Sequence, residues 1–144
     1  MKTKPATEKK VLVFTGRQGH YSIGKAVEQI LRDEYHTSLV DLGKSFNMFE
    51  YYVPLYRFFP NLIQIPYKLS KSSSVQKALK ELLKNKLIDK IKKIIKAEKP
   101  DLIISTYLFH NPAIEEFISY QKTPIPFINI VSDPWTIHPM VISQ

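Results

Sequence analysis

The chain has 144 residues, 44% hydrophobic and 24% charged, with no cysteine and a net charge of +8. This is the length of one domain with enough apolar material for a full core. The missing cysteine excludes disulfides and thiolate metal sites and fits a reducing compartment, and the want of any run of about 18 apolar residues excludes a spanning helix.

Residues 1–9 are polar and lysine-rich and lack the apolar core of a signal peptide. They read as a short disordered tail on a cytoplasmic chain. Lys10 to Thr15 reads as a buried strand, because Val11, Leu12, Val13 and Phe14 are apolar without alternation. The turn Gly16-Arg17-Gln18-Gly19-His20 follows. Ser22 can cap a helix running to about Asp33, with Ile23, Ala26, Val27, Ile30 and Leu31 inward. Thr37 to Leu42 is a second strand.

Residues 46–67, "FNMFEYYVPLYRFFPNLIQIPY", hold eight of the seventeen aromatics, broken up by Pro54, Pro60 and Pro66. Two readings stand for this insertion. Its rings pack onto the sheet, or they face lipid, since rings with polar tips settle at membrane interfaces. Tyr51, Tyr52, Tyr56, Phe58 and Phe59 are the candidate membrane contacts. Val75 to Glu98 is a long helix with Leu79, Leu82, Leu83, Leu87, Ile91, Ile94 and Ile95 as its apolar stripe. Residues 68–100 hold eleven lysines against Glu81, Asp89 and Glu98, a net +8, so the rest of the chain is near neutral. That block is either a solvated helix face or a surface for an anionic partner, membrane or nucleic acid.

Asp101 to Thr106, "DLIIST", is a third strand, and Asn111-Pro112 opens a helix through about Tyr120. Ile125 to Val131 is a fourth strand. No repeat or low-complexity tract appears. Strands alternating with helices predict an α/β fold: a Rossmann-like parallel sheet with helices on both faces and right-handed crossovers.

In such sheets ligands bind off the carboxyl ends of the strands. Gly16 to His20 sits at such an end and leads into a helix N-terminus, which favours an anion or a developing oxyanion. Glycine lets backbone approach a ligand closely, and a histidine there can take a proton near neutral pH. The Gly-x-x-Gly-His spacing is neither a dinucleotide fingerprint nor a P-loop. A structural role for His20 stands beside the catalytic one.

Three blocks, "VLVFTGRQGHYSIGKAVEQIL", "KPDLIISTYLFHNPAIEEF" and "TPIPFINIVSDPWTIHPMV", occur in this order. Together, over residues 10–144, they resemble the N-terminal domain of the monogalactosyldiacylglycerol synthase family. That family includes processive diacylglycerol glucosyltransferases and is related to the lipid-linked N-acetylglucosaminyltransferase of peptidoglycan synthesis. The resemblance implies half of a GT-B fold, in which the N-terminal domain takes the lipid acceptor and docks on the membrane. The C-terminal domain takes the donor, usually a UDP-sugar, without metal. It implies that Gly16, Arg17, Gln18 and Gly19 form the acceptor loop and that His20 is the candidate general base. It places Asp133, beside Ser132, at the cleft as a partner of His20 or as the base itself. His110 and Asn111 line the cleft or cap a helix, and His138 matches a histidine-rich segment loosely. The aromatic insertion falls where the family makes its membrane contacts.

Arg17 and Gln18 depart from a loop usually richer in glycine. No segment here supplies a second nucleotide-binding unit. The expectation is an acceptor-side domain over residues 10–144 that is inactive without a donor-binding domain or subunit. No cofactor or metal is expected in the chain, and it is expected to be peripheral on the inner face of the membrane. The alternatives are a non-catalytic lipid- or anion-binding α/β module and the acceptor subunit of a split glycosyltransferase. A nucleic-acid partner is not expected, because there is no RNA-binding signature and the aromatics are not interleaved with the lysines.

Overall fold

The computed structural model describes residues 8–43, 57–58, 68 and 72–131. Among the described residues, four parallel strands form one sheet: β1 (Lys10–Thr15), β2 (His36–Asp41), β3 (Leu102–Ser105) and β4 (Phe127–Asn129). Their spatial order is β2-β1-β3-β4. Val11 pairs with Thr37 on one side and Leu102 on the other, which makes β1 a central strand. That explains its unbroken apolar run, since both faces of a central parallel strand are covered.

Successive side chains of a strand point to opposite faces. Leu12, Phe14 and Ile103 therefore meet one layer, made of α2 (Ser73–Glu98) and α3 (Asn111–Ser119). Val11, Val13 and Ile104 meet the other, where Val27 and Leu31 of α1 (Gly19–Leu31) pack. Each fully buried side chain of this size contributes roughly 2 kcal/mol. The architecture is the expected Rossmann-like α/β sheet with helices on both faces.

Three element details differ from the sequence expectation. First, α1 starts at Gly19 rather than after a Ser22 cap. Gln18 is the N-cap residue without a side-chain cap bond, and the Ser22 N–H closes the first turn onto the Gln18 carbonyl at 3.2 Å. Second, Ala26 and Ile30 face outward, Ile30 with 74% exposure. The helix meets β1 through Gly24, where an added Cβ would lie 2.8 Å from Thr15, and this close approach fixes which face turns inward. Third, Leu82 is half exposed, because α2 contacts the sheet along the four-residue row Leu83, Leu87, Ile91 and Ile95. Lys84 links α2 to α3, 2.8 Å from Glu81 and 3.7 Å from Glu116. Among the described residues no helix is long and apolar enough to cross a membrane.

Candidate functional site

After β1 the chain crosses through α1 to β2 on one side, then returns through α2 on the opposite face to β3 on the other side. The connections diverge between the carboxyl ends of β1 and β3, and this switch point is where such sheets bind ligands. It brings together Gly16 to His20 from the end of β1 and Thr106 to Asn111 from the end of β3.

His20 is the second residue of α1, so it stands on the helix itself rather than on the preceding turn. Its Nδ1 lies 2.9 Å from the carbonyl oxygen of Thr106. A carbonyl only accepts, so Nδ1 carries the proton and donates it, which leaves Nε2 as the basic nitrogen. Partial burial lowers the His20 pKa, against the smaller opposing effect of the Thr106 bond. A neutral imidazole with a fixed tautomer results. Beneath it, the Thr106 hydroxyl donates to Thr15 Oγ1 at 3.0 Å, and the Thr15 hydroxyl donates to the His20 carbonyl at 2.7 Å. Thr15 and Thr106 are fully buried, so this hub ties β1, β3 and α1 at one point.

Tyr107 centres the other half of the site. Its ring centroid is 4.6 Å from that of His20, 5.0 Å from His110 and 5.2 Å from Phe109. The phenol packs on Gly16, where a Cβ would stand 2.8 Å from its Cγ, so only glycine fits beneath it. Burial raises the Tyr107 pKa, keeping the phenol neutral.

Arg17, Gln18 and Gly19 are exposed at the mouth of the crevice. Gln18 holds φ 57° and ψ −126°, a region that favours glycine. The Arg17 stem lies against Gly43, and Gly19 has no atom near the place its Cβ would take. His110 and Asn111 are fully buried and do not face an open cleft, and the His110 ring packs edge-on against Tyr107. Neither acts as a cap, since α3 has no side-chain cap bond. Burial, then the charges of His20 and Lys90, push the His110 pKa down to about 3. Phe58 is 70% exposed. Asp133, with Ser132 and His138, and Tyr51, Tyr52, Tyr56 and Phe59 lie outside the described residues.

Thr15, Thr106 and Tyr107 were not singled out by the sequence reading. The signal that marked His20, a position just past a buried strand, marks Thr106 and Tyr107 equally. A hollow of about 180 Å³ among Lys10, His36, Ser38, Glu98 and Pro100 lies at the amino ends of the strands, away from this crevice.

The sequence model of the family described as monogalactosyldiacylglycerol (MGDG) synthase matches residues 18–144. No curated protein and no solved structure matches the chain significantly.

Proposed function

The chain belongs to the monogalactosyldiacylglycerol synthase family, glycosyltransferases that act on a lipid acceptor, and from that premise we propose that it is the acceptor-binding, membrane-docking part of such an enzyme. The transfer moves a hexose from a UDP-sugar to the hydroxyl of a lipid such as diacylglycerol. The donor is held by a further domain or by a partner subunit. The observation that carries the reading is the Nδ1–H bond of His20 to the Thr106 carbonyl, which presents Nε2 as a base at the switch point.

On this reading the acceptor hydroxyl donates to Nε2 of His20. Its oxygen attacks the anomeric carbon, the bond from that carbon to the UDP oxygen breaks, and the proton passes to the imidazole. UDP leaves with the bonding electrons. General-base assistance of this kind contributes about 10²- to 10⁴-fold. Asp133 is proposed to hold or assist the imidazole. The aromatic stretch 46–67 and the lysines of α2 are proposed to seat the domain on an anionic membrane.

The test is transfer from UDP-glucose and UDP-galactose to diacylglycerol in liposomes. The chain is assayed alone, joined to a donor domain of the family, and joined with His20→Asn, which keeps a donor toward Thr106 but removes the base. Activity only when joined, reduced at least 10²-fold by the substitution, supports the reading. Joined activity that survives the substitution moves the base to Asp133. No transfer beside a verified donor domain leaves a lipid-binding module without chemistry.

A further inference from the structure

The β1–β3 ladder gives up its last rung to a side chain. Phe14 pairs with Ser105, and Thr106, just past β3, donates its N–H to the Phe14 carbonyl at 3.0 Å. In a parallel pair the bonds are evenly spaced, so the Thr106 carbonyl would next accept from Gly16, two residues past Phe14. No such bond is present among the described residues. The carbonyl instead receives Nδ1–H of the His20 ring, at 2.9 Å. Thr106 is fully buried, so leaving that carbonyl unmet would be costly, and the ring N–H removes the cost. The imidazole therefore completes the hydrogen bonding of the sheet, although it hangs from α1.

Thr106 holds the same residue a second time. Its Oγ1 is 3.1 Å from the main-chain carbonyl of His20 and 3.0 Å from Thr15 Oγ1. The Thr15 hydroxyl donates to that carbonyl at 2.7 Å. Three oxygens thus share two hydroxyl protons, and the carbonyl can only accept. The Thr15 proton goes to the His20 carbonyl, and the Thr106 proton is shared between Thr15 Oγ1 and that carbonyl. Valine would fill a similar volume at position 106 without the cost of burying a hydroxyl. Ring and main chain of His20 are gripped by two groups of one residue, which locks the ring in place.

Resting on the reading of His20 as the base, we infer that Thr106 is its positioning residue: the Thr106 carbonyl fixes which ring nitrogen carries the proton, and the Thr106 hydroxyl, with Thr15, fixes the main chain from which the ring hangs. Thr106 acts through His20 alone. Without the ring bond the two neutral tautomers interchange, and in the wrong one Nε2 already carries a proton and cannot accept another. Valine at position 106 would set a methyl about 3.0 Å from Thr15 Oγ1 and about 3.1 Å from the His20 carbonyl. Both are inside the ordinary contact distance of about 3.5 Å. The start of α1 must then back away, and the bond from Nδ1 lengthens.

The test follows the tautomer and the turnover separately. Nitrogen NMR of the full chain with labelled histidines tells which nitrogen of His20 carries the proton. The unaltered chain should show it on Nδ1. Thr106→Val should show a mixture of tautomers. Thr106→Ser, which keeps the hydroxyl and loses a methyl, should return the proton to Nδ1. With the chain joined to a donor domain of the family, Thr106→Val should lower kcat for transfer to diacylglycerol about 10- to 100-fold with little change in KM. Thr106→Ser should recover most of that loss. Both substitutions should lower the melting temperature, so a merely structural role predicts equal losses of transfer in both. The inference falls if the unaltered ring is protonated at Nε2, a result that needs no variant. It also falls if Thr106→Val keeps the unaltered tautomer, or if both variants lose transfer equally. Should no joined form transfer sugar while the tautomer still follows the hydroxyl, the base reading falls and the grip of Thr106 on the ring stands. Transfer that depends on His20 but survives Thr106→Val would sink this inference alone.

Discussion

Two imidazoles flank the Tyr107 ring, and burial lowers the pKa of both, but by different routes to different ends. His20, a neutral imidazole, keeps part of its surface in water and a hydrogen bond to the Thr106 carbonyl. His110 has neither, and its protonation is opposed by burial and by the charges of His20 and Lys90. The consequence for stability has a definite sign. Above the ordinary histidine pKa of about 6.5, His110 is neutral both folded and unfolded, and stability is full. Below it, the unfolded chain takes up a proton that the folded chain refuses until about pH 3. Stability therefore falls as pH falls through that window, by up to about 1.4 kcal/mol per pH unit for this residue. Urea midpoints measured at several pH values from neutrality to pH 4 should show that slope, and His110→Leu should flatten it. An equal slope in the variant would assign the acid sensitivity to other groups. Gln18 illustrates a different residue-scale effect. Its bulk was the feature legible in the sequence, but its cost lies in the backbone, where φ 57° in a non-glycine stores about 1–3 kcal/mol.

At the scale of elements, α1 decides where His20 stands, and Gly24 decides where α1 stands. A Cβ at position 24 would meet Cβ and Oγ1 of Thr15 at 2.8 Å and Leu39 at 3.3 Å. Thr15 cannot yield, because it is buried, β-branched and bonded to both Thr106 and the His20 carbonyl. Gly24→Ala normally stabilises a helix interior by about 1 kcal/mol. Here the clash wins, and a net loss of about 1–2 kcal/mol is expected by chemical denaturation. The same variant should also weaken the His20–Thr106 bond, seen as a changed Nδ1 signal. A stabilised variant with an unchanged imidazole would show that α1 is free to shift. The strands were legible because β1 and β3 are covered on both faces and read as short apolar runs. The start of α1 was not. Ser22 is the better cap by propensity, but the helix begins at an uncapped glutamine corner whose positive φ leaves no mark in the residue type. The outward turn of Ile30 was hidden for a related reason, since periodicity ranks hydrophobic faces and cannot see that a bare glycine permits the closest approach.

For the whole molecule, what the sequence could not supply was strand order. Position past β1 was enough to single out His20, but Thr106 and Tyr107 become its neighbours only because β3 returns to the side of β1 opposite β2. No hydrophobic pattern records that choice. The same topology divides the lysine block. In the crossover from β2 to β3, α2 runs against the strand direction and spans about 39 Å. Its last turns reach the amino ends of the strands, where Glu98 accepts from Ser38 at 2.9 Å and lines the hollow with Lys10. Its first turns, with Lys77 and Lys80, lie at the carboxyl end with His20. On the proposed reading, a membrane that delivers an acceptor to His20 would have to touch that end. Lys96 and Lys99, equally basic in the sequence, stand at the far end. Lys77→Gln with Lys80→Gln should therefore weaken co-sedimentation with phosphatidylglycerol vesicles about 30-fold, at about 1 kcal/mol per lysine. The loss should shrink in high salt, where surface charges are screened. Lys96→Gln with Lys99→Gln should cost less than about threefold. Equal losses from both pairs would mean diffuse attraction without orientation. A larger loss from the Lys96 and Lys99 pair would turn the molecule over on the membrane and remove the acceptor path to His20.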